Sequence, residues 1–175
     1  MSKKEELKEL IWYIASNHPK KLMQTKLWKL CFFSEADFFE RFNERLTKNV
    51  YIKNNYGPTP DWKIAEKALE ELLAEKALVI VEGEYIGVGE REIKYLDPRK
   101  QQSIENTCLK YAELNVNEIV HLSHQDPAYV MGDFNRPINF EHVHYRSEEE
   151  DLFDDEVTFE LNARQRSGLA TLASI

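Results

Sequence analysis

The chain has little of what most catalytic or extracellular folds display. It holds only two cysteines, Cys31 and Cys108, both within apolar helical patterns, so no disulfide framework is available. A pair of buried free thiols in a cytosolic protein is the expectation. No apolar run is long enough to cross a bilayer. Met1–Glu9 is dominated by Lys and Glu, and Leu10–Ala15 is too short for the apolar part of a secretory signal. A cytoplasmic protein with no membrane partner is therefore expected. Positive charge is also scarce. The formal net charge is −8 and the pI about 5.2, which removes the basic footprint that non-specific nucleic-acid binding needs. The patterns GxGxxG, GxxxxGK[ST], GxSxG and CxxC are absent, and with them the usual signatures of dinucleotide, nucleotide, ester and thiol chemistry. No cofactor is expected, and no catalytic residue stands out.

What is present is a well-supplied core. The chain is 42% hydrophobic and 11% aromatic, enough for one globular domain. The acidity is concentrated at one end. Arg146–Ile175 has eight acids against three bases, a net −5 of the chain's −8. The expected organisation is a domain over 1–145 and an acidic tail over 146–175, with too little apolar mass in the tail to fold alone.

Lys3–Ser16 reads as an amphipathic helix with Leu7, Leu10, Ile11 and Ile14 on one face, ended by Asn17-His18-Pro19. Thr25 is placed as the N-cap of a second helix to about Asn43. That helix is apolar on two faces, Leu27, Leu30, Cys31 and Phe38 on one and Trp28, Phe32, Phe39 and Phe42 on the other, which marks it as the spine of the core. Val50–Lys53 reads as a short strand, and Asn55–Pro60 as a rigid turn. Asp61 caps a helix to about Ala77, with Trp62, Ala65, Leu69, Leu72 and Leu73 inward. Leu78–Val81 and Tyr85–Val88 flank a Glu82-Gly83-Glu84 turn, and Glu92–Leu96 is a candidate third strand. Helices follow over about Arg99–Leu114 and, capped by Asn117, Glu118–Gln125. Phe140–Tyr145 fits a strand or a helical turn, and Val157–Leu161 is a candidate strand. The fold class is mainly α with a small β-hairpin element (α+β), and a helix followed by a hairpin gives it a winged-helix-like part.

Four histidines are the candidates for metal chemistry. His142 and His144 form an HxH pair, and His121 and His124 lie three apart on a helix; with Asp126 or Glu141 they make up a possible imidazole–carboxylate set for a metal-dependent hydrolase. The spacing matches no established motif, and local packing of His124 with surface positions for His142 and His144 is the reading favoured over a metal site. Cys108 sits among Ile104, Leu109 and Tyr111, a packing environment and not a nucleophile's. A winged-helix DNA-binding regulator is the other alternative. The helix after Asp61 carries Glu66, Glu70, Glu71 and Glu75 among its lysines, which phosphate would repel. Lys20-Lys21 with Lys26 and Lys29 is the one basic concentration, read as a solvated helix entrance.

Three segments carry a family resemblance. Lys26-Leu27-Trp28-Lys29-Leu30-Cys31-Phe32 is similar to a K-L-x-K-L-x-Y helix, with Phe32 or Phe33 in the aromatic position. Tyr56-Gly57-Pro58-Thr59-Pro60 after a strand resembles a Y-G-P-V-P turn, with Thr59 where Val is usual. Leu122-Ser123-His124 through Pro127 is similar to an L-S-x-x-[ST]-H-x-x-x-P-W ending, more compact here and with Ala128-Tyr129 in place of the Trp. Their order and spacing over about Glu6–Tyr145 resemble the Panacea (SocA-like antitoxin) domain. The resemblance implies a mainly helical fold and a protein-binding role. The partner would be a cognate toxin encoded by an adjacent gene, neutralised by direct binding or by delivery to a protease or chaperone.

The residues themselves point the same way. A Gly-Pro-x-Pro segment holds its geometry at little ordering cost on binding. Tyr56 and Trp62 flank it, and such aromatics are enriched in interface hot spots. The expected partner-binding set is Trp28, Tyr51, Lys53, Tyr56, Gly57, Pro58, Pro60 and Trp62.

Overall fold

A computed structural model describes residues 2–146. Helix α1 (Lys3–Asn17) buries Leu7, Leu10, Ile11 and Ile14 completely and stops where the amide of His18 bonds back to Ile14, just before Pro19. Its polar residues are engaged as well. Glu6 accepts the amide of Lys48, Glu9 accepts the amides of Lys94, Tyr95 and Leu96, and Lys8 pairs with Glu71 and Glu75. Helix α2 (Gln24–Phe42) is the spine, buried from Lys26 through Ala36, and ends on Asn43 in the left-handed conformation. Phe32, Phe33, Tyr51 and Phe140 form the aromatic centre, with ring centroids 5.3–6.3 Å apart.

Strands β1 (Tyr51–Asn54) and β2 (Gly57–Pro60) form a hairpin, Tyr51 opposite Pro60 and Asn54 opposite Gly57. Helix α3 (Trp62–Ala74) follows, its N-cap Asp61 accepting the amide of Lys63. Strands β3 (Leu78–Val81) and β4 (Glu84–Gly87) make a second hairpin. Its turn residues Glu82 and Gly83 both have positive φ, the turn type that matches strand twist. Helices α4 (Pro98–Lys110), α5 (Val116–Gln125) and the one-turn α6 (Pro127–Val130) lead into a 3₁₀ segment, Phe140–Arg146. α1 packs on α3, and α2 packs on α4, α5 and the 3₁₀ segment. The mainly helical α+β class is what the sequence predicts.

Several local expectations are corrected. Thr25 is not the cap of α2. Helix begins at Gln24, and Met23 at the cap position offers no side-chain acceptor. Asn55–Pro60 is not a free-standing turn; Gly57–Pro60 is a strand, and only Asn55 and Tyr56 form the loop, set by the Tyr56 amide donating to Asn54 Oδ1 at 2.9 Å. Proline is tolerated there because this ladder is only two strands wide on the β2 side. Trp62 does not face inward: at the first position of α3 it is 55% exposed, whereas Ala65, Leu69 and Leu72 further along the helix are buried. Glu92–Leu96 is not a strand. One carboxylate, Glu9, takes three successive amides there, whereas strand amides alternate sides. The cap of α5 is Asn115, accepting the amide of Glu118, not Asn117. α3 and α4 each stop short of the expected end, and Phe140–Tyr145 takes the helical of its two options. Val157–Leu161 and the rest of the tail beyond Arg146 lie outside the described residues.

Lys26 and Lys29 do not form a solvated entrance. Both are buried, 4% and 1% exposed, inside the otherwise apolar α2. Each ammonium is spent on backbone carbonyls. Lys26 Nζ donates to Ala112 O (3.1 Å) and Leu114 O (2.6 Å), tying α2 to the α4–α5 corner. Lys29 Nζ donates to Pro58 O at 3.0 Å, tying α2 to the hairpin.

Candidate partner-binding surface

The β1–β2 hairpin is seated from three sides. Beneath it is Lys29. Against Gly57 lies Ser123 of α5, fully buried, its hydroxyl donating to Val120 O. Gly57 has φ +97°, and a Cβ there would come within 2.7 Å of Ser123 Oγ and 3.0 Å of Lys29 Nζ. Only glycine satisfies both the angle and the space. At the tip, His124 Nε2 lies 3.1 Å from Asn55 O, and Tyr129 Oη donates to Asn54 O at 2.6 Å. Along the outer edge of β1, residues 135–138 pair as a third strand would: Asn135 N to Lys53 O, Lys53 N to Arg136 O and Ile138 N to Tyr51 O.

This seating sorts the expected partner-binding residues. Tyr51, Trp28, Gly57, Pro58 and Pro60 are buried. They lie in the interior and do not face outward. Tyr51 packs edge-on against Phe140. Lys53 is half-buried, its ammonium 3.2 Å from Gly132 O and over the ring of Tyr129. Tyr56 and Trp62 are 79% and 55% exposed. They stand at opposite ends of a four-residue ladder, roughly 13 Å of strand apart, so they are separate contacts and not one aromatic pair. The sequence reading misses Val130, Met131 and Phe134, all about half exposed in the loop that Lys53 pins beside the hairpin. Gly132 and Pro137 make Tyr129–Asn139 read as irregular, but nothing in the spacing of these three distinguishes them from core residues.

The histidines are not brought together as a ligand set. His124 Nδ1 is 2.8 Å from Val120 O and Nε2 is 3.1 Å from Asn55 O. Both ring nitrogens therefore face backbone carbonyls of the fold and are not turned toward the other histidines. His121 meets Gln125, and His144 Nε2 meets Asn43 Oδ1 at 2.9 Å while its ring packs on Phe39. His142 lies half-buried beside Tyr145. Among the described residues, no group of three or more His, Cys, Asp and Glu is gathered as for a metal ion. Cys31 and Cys108 are both buried free thiols; burial pushes Cys108 up to about 12 and Cys31 well above the ordinary value, which keeps them protonated and unreactive. On α3, Glu71 and Glu75 are bound to Lys4, Lys8 and Arg91, and the β3–β4 hairpin beyond it shows Ile80, Val81 and Ile86 to solvent between Glu82 and Glu84. α3 exposes Lys63 and Lys67 only interleaved with the exposed Glu66 and Glu70, so neither element presents a continuous basic face to a phosphate backbone.

One ionic knot closes the surface from behind. The Arg146 guanidinium binds Asp37 (2.8 Å), Glu40 (3.1 Å) and Asp126, and lies over Phe33. Asp126 also caps α6 by accepting the amide of Ala128, and Thr107 Oγ1 donates to Asp37. The knot joins α2, α4, α6 and the 3₁₀ segment directly behind Tyr129.

No helix among the described residues is long and apolar enough to cross a membrane. No curated protein and no solved structure matches the chain. The family described as "Antitoxin SocA-like, Panacea domain" matches residues 27–129, the span that runs from Leu27 of α2 through the hairpin to Tyr129. The chain belongs to the Panacea domain family of SocA-like antitoxins, which places its role in general within toxin–antitoxin systems.

Proposed function

We propose that this protein is an antitoxin that binds a toxin encoded by an adjacent gene, and that it performs no catalysis. The surface used is the hairpin tip with Tyr56 and Lys53, the neighbouring Val130, Met131 and Phe134, and Trp62 as a more distant contact. The observation that carries the reading is the seating of the hairpin. Lys29, Ser123, His124 and Tyr129 all hold backbone that would otherwise be mobile, and the side chain they present, Tyr56, is 79% exposed. A rigid support under an exposed aromatic lowers the ordering cost of association. The apolar loop beside it supplies the surrounding contact area.

The test is co-expression with the neighbouring gene. The gene alone should arrest growth, and this protein should relieve the arrest and co-purify with its product. Tyr56→Ala should leave thermal stability within about 0.5 kcal/mol of wild type, because the ring touches little of the fold. It should weaken the complex roughly 30-fold, the effect of losing about 2 kcal/mol of a hot spot. A harmless neighbour with no co-purifying partner refutes the antitoxin reading. A tight complex indifferent to Tyr56 refutes only the choice of surface.

A further inference from the structure

The outer edges of β1, β2 and β4 are closed, and that of β3 is open. Residues 135–138 pair along β1. The outward residues of β2 are Pro58 and Pro60, which have no amide, and Pro58 O is taken by Lys29 Nζ. On β4 the amide of Tyr85 donates to Leu22 O at 2.8 Å. That bond also shows which groups of β3 face outward. Glu82 and Gly83 form a two-residue turn with both φ positive, so Val81 and Glu84 are a hydrogen-bonded pair. The next pair, Ile80 and Tyr85, is then not hydrogen-bonded. The amide and carbonyl of Ile80 point away from β4, and among the described residues nothing bonds to them. Leu78, at the end near α3, is covered, so the open stretch is Val79–Val81. One face of this hairpin packs on α1, where Gly87 lies against Ser16 with no room for a Cβ. The other face carries Val79, Val81, Ile86 and Val88, the last three exposed.

We infer that this edge pairs with the same edge of a second copy of the chain, the two β3 strands running antiparallel about a twofold axis at Ile80. Folds protect an apolar edge with proline, charge or a bulge, and Leu78–Val81 has none of these. The stretch is self-complementary. Val79-Ile80-Val81 reads the same in both directions, so the twofold sets Ile80 opposite Ile80 and Val79 opposite Val81 of the other copy. The two Ile80 residues exchange amide–carbonyl bonds, and the apolar faces join into one surface across four strands. Charge agrees with the antiparallel sense. Lys76 lies just before β3 and Glu82 just after it, both exposed and neither in an ion pair among the described residues. The twofold brings Lys76 of each copy to Glu82 of the other, whereas parallel strands would set like charges together. The ladder is short, which places the contact below the roughly 1,200 Å² of a stable interface and its dissociation constant on the order of 10 μM. The edge contains none of the residues proposed to meet the toxin.

Sedimentation equilibrium of the full-length protein alone, from about 1 to 200 μM, tests this. The weight-average mass should rise from 20.6 kDa toward twice that value. Ile80→Lys should weaken the dimer roughly tenfold or more, because it sets two like charges opposite each other. Lys76→Glu should weaken it about threefold, and Lys76→Glu with Glu82→Lys should restore it. All three positions are exposed, so each variant should melt as wild type does. Ile80→Cys gives a second readout. Opposed Cα atoms about 5.5 Å apart admit a disulfide across the twofold, so mild oxidation should link two chains, whereas the exposed Lys63→Cys on α3 should not link. Cys31 and Cys108 are buried and do not compete. A mass of 20.6 kDa at every concentration overturns the inference. So does a dimer indifferent to Ile80→Lys, or amide exchange at Ile80 that slows only when the product of the neighbouring gene is added, which would make the toxin the partner of this edge.

Discussion

Lys29 supplies the sharpest test of how the hairpin is held. Its ammonium is 1% exposed and has one protein partner, Pro58 O, and burial pushes its pKa from an ordinary 10.5 down to about 8. Between those two values the unfolded chain binds more protons than the folded one, so this group makes the protein more stable as pH rises from 8 to 10.5. Below pH 8 the full cost of burying the charge is present. At about 1.4 kcal/mol per pH unit, the contribution changes by roughly 2–3 kcal/mol between pH 7 and pH 10. Lys29→Met keeps the length and apolar stem and removes the titration. The variant loses the bond to Pro58 O, which costs about 1–3 kcal/mol at any pH, so the sign of its net effect at pH 7 is not the test. The test is the difference between the two proteins. Urea unfolding followed by tryptophan fluorescence at pH 7, 8, 9 and 10 should show wild type gaining on the variant by about 2–3 kcal/mol over that range. Tyr13 and Cys108, raised by burial, pull the other way with alkali but are common to both proteins and cancel. A constant difference across the range would show that the amine does not titrate there, and would refute a buried cation beneath the hairpin.

Gly57→Ala should cost about 2–4 kcal/mol in chemical unfolding, from positive φ and the contact with Ser123 Oγ together; adding Ser123→Ala should recover the contact but not the backbone part. Arg146→Met should cost about 3–5 kcal/mol, because Asp126 is left buried and unpaired, and a melting temperature unchanged from wild type would contradict the ionic knot. Glu35, fully buried, accepts from the amides of Leu46 and Thr47, the Thr47 hydroxyl and Arg45, so Glu35→Gln sets an NH₂ against donors and should cost about 1–3 kcal/mol, visible also as faster amide exchange at 46–47.

Helical elements were legible because their apolar period is strong. α1 and α2 stand within a residue or two of where Leu7–Ile14 and Leu27–Phe42 place them. Judgements that depended on which donor meets which acceptor fared less well: Asp61 caps α3 as expected, but others did not hold. Thr25 and Asn117 are sound cap residues by type, yet the caps fall on Met23 and Asn115 because packing of Leu22 and the α4–α5 corner sets where the backbone turns. Lys26 and Lys29 look like surface lysines because a cation in an apolar helix is ordinarily solvated. Their carbonyl partners lie 29–88 residues away, and no local pattern reveals them. The candidate site divides along the same line. Gly57 and Tyr56 announce themselves through turn chemistry, whereas Ser123 and the Val130–Phe134 loop join them only through the tertiary fold.

The pairing of residues 135–138 along β1 has a consequence for biosynthesis. The hairpin is complete as a sequence by Pro60, but its outer edge is closed by residues 135–138 and its support by Arg146. A nascent chain emerging from the ribosome at about 5–20 residues per second therefore carries an open hairpin edge for several seconds before the closing residues arrive. Products that terminate before residue 135 would contain the whole of the hairpin and neither its closing residues nor Arg146, so the supported hairpin is gained only once those residues have been made and not in proportion to length.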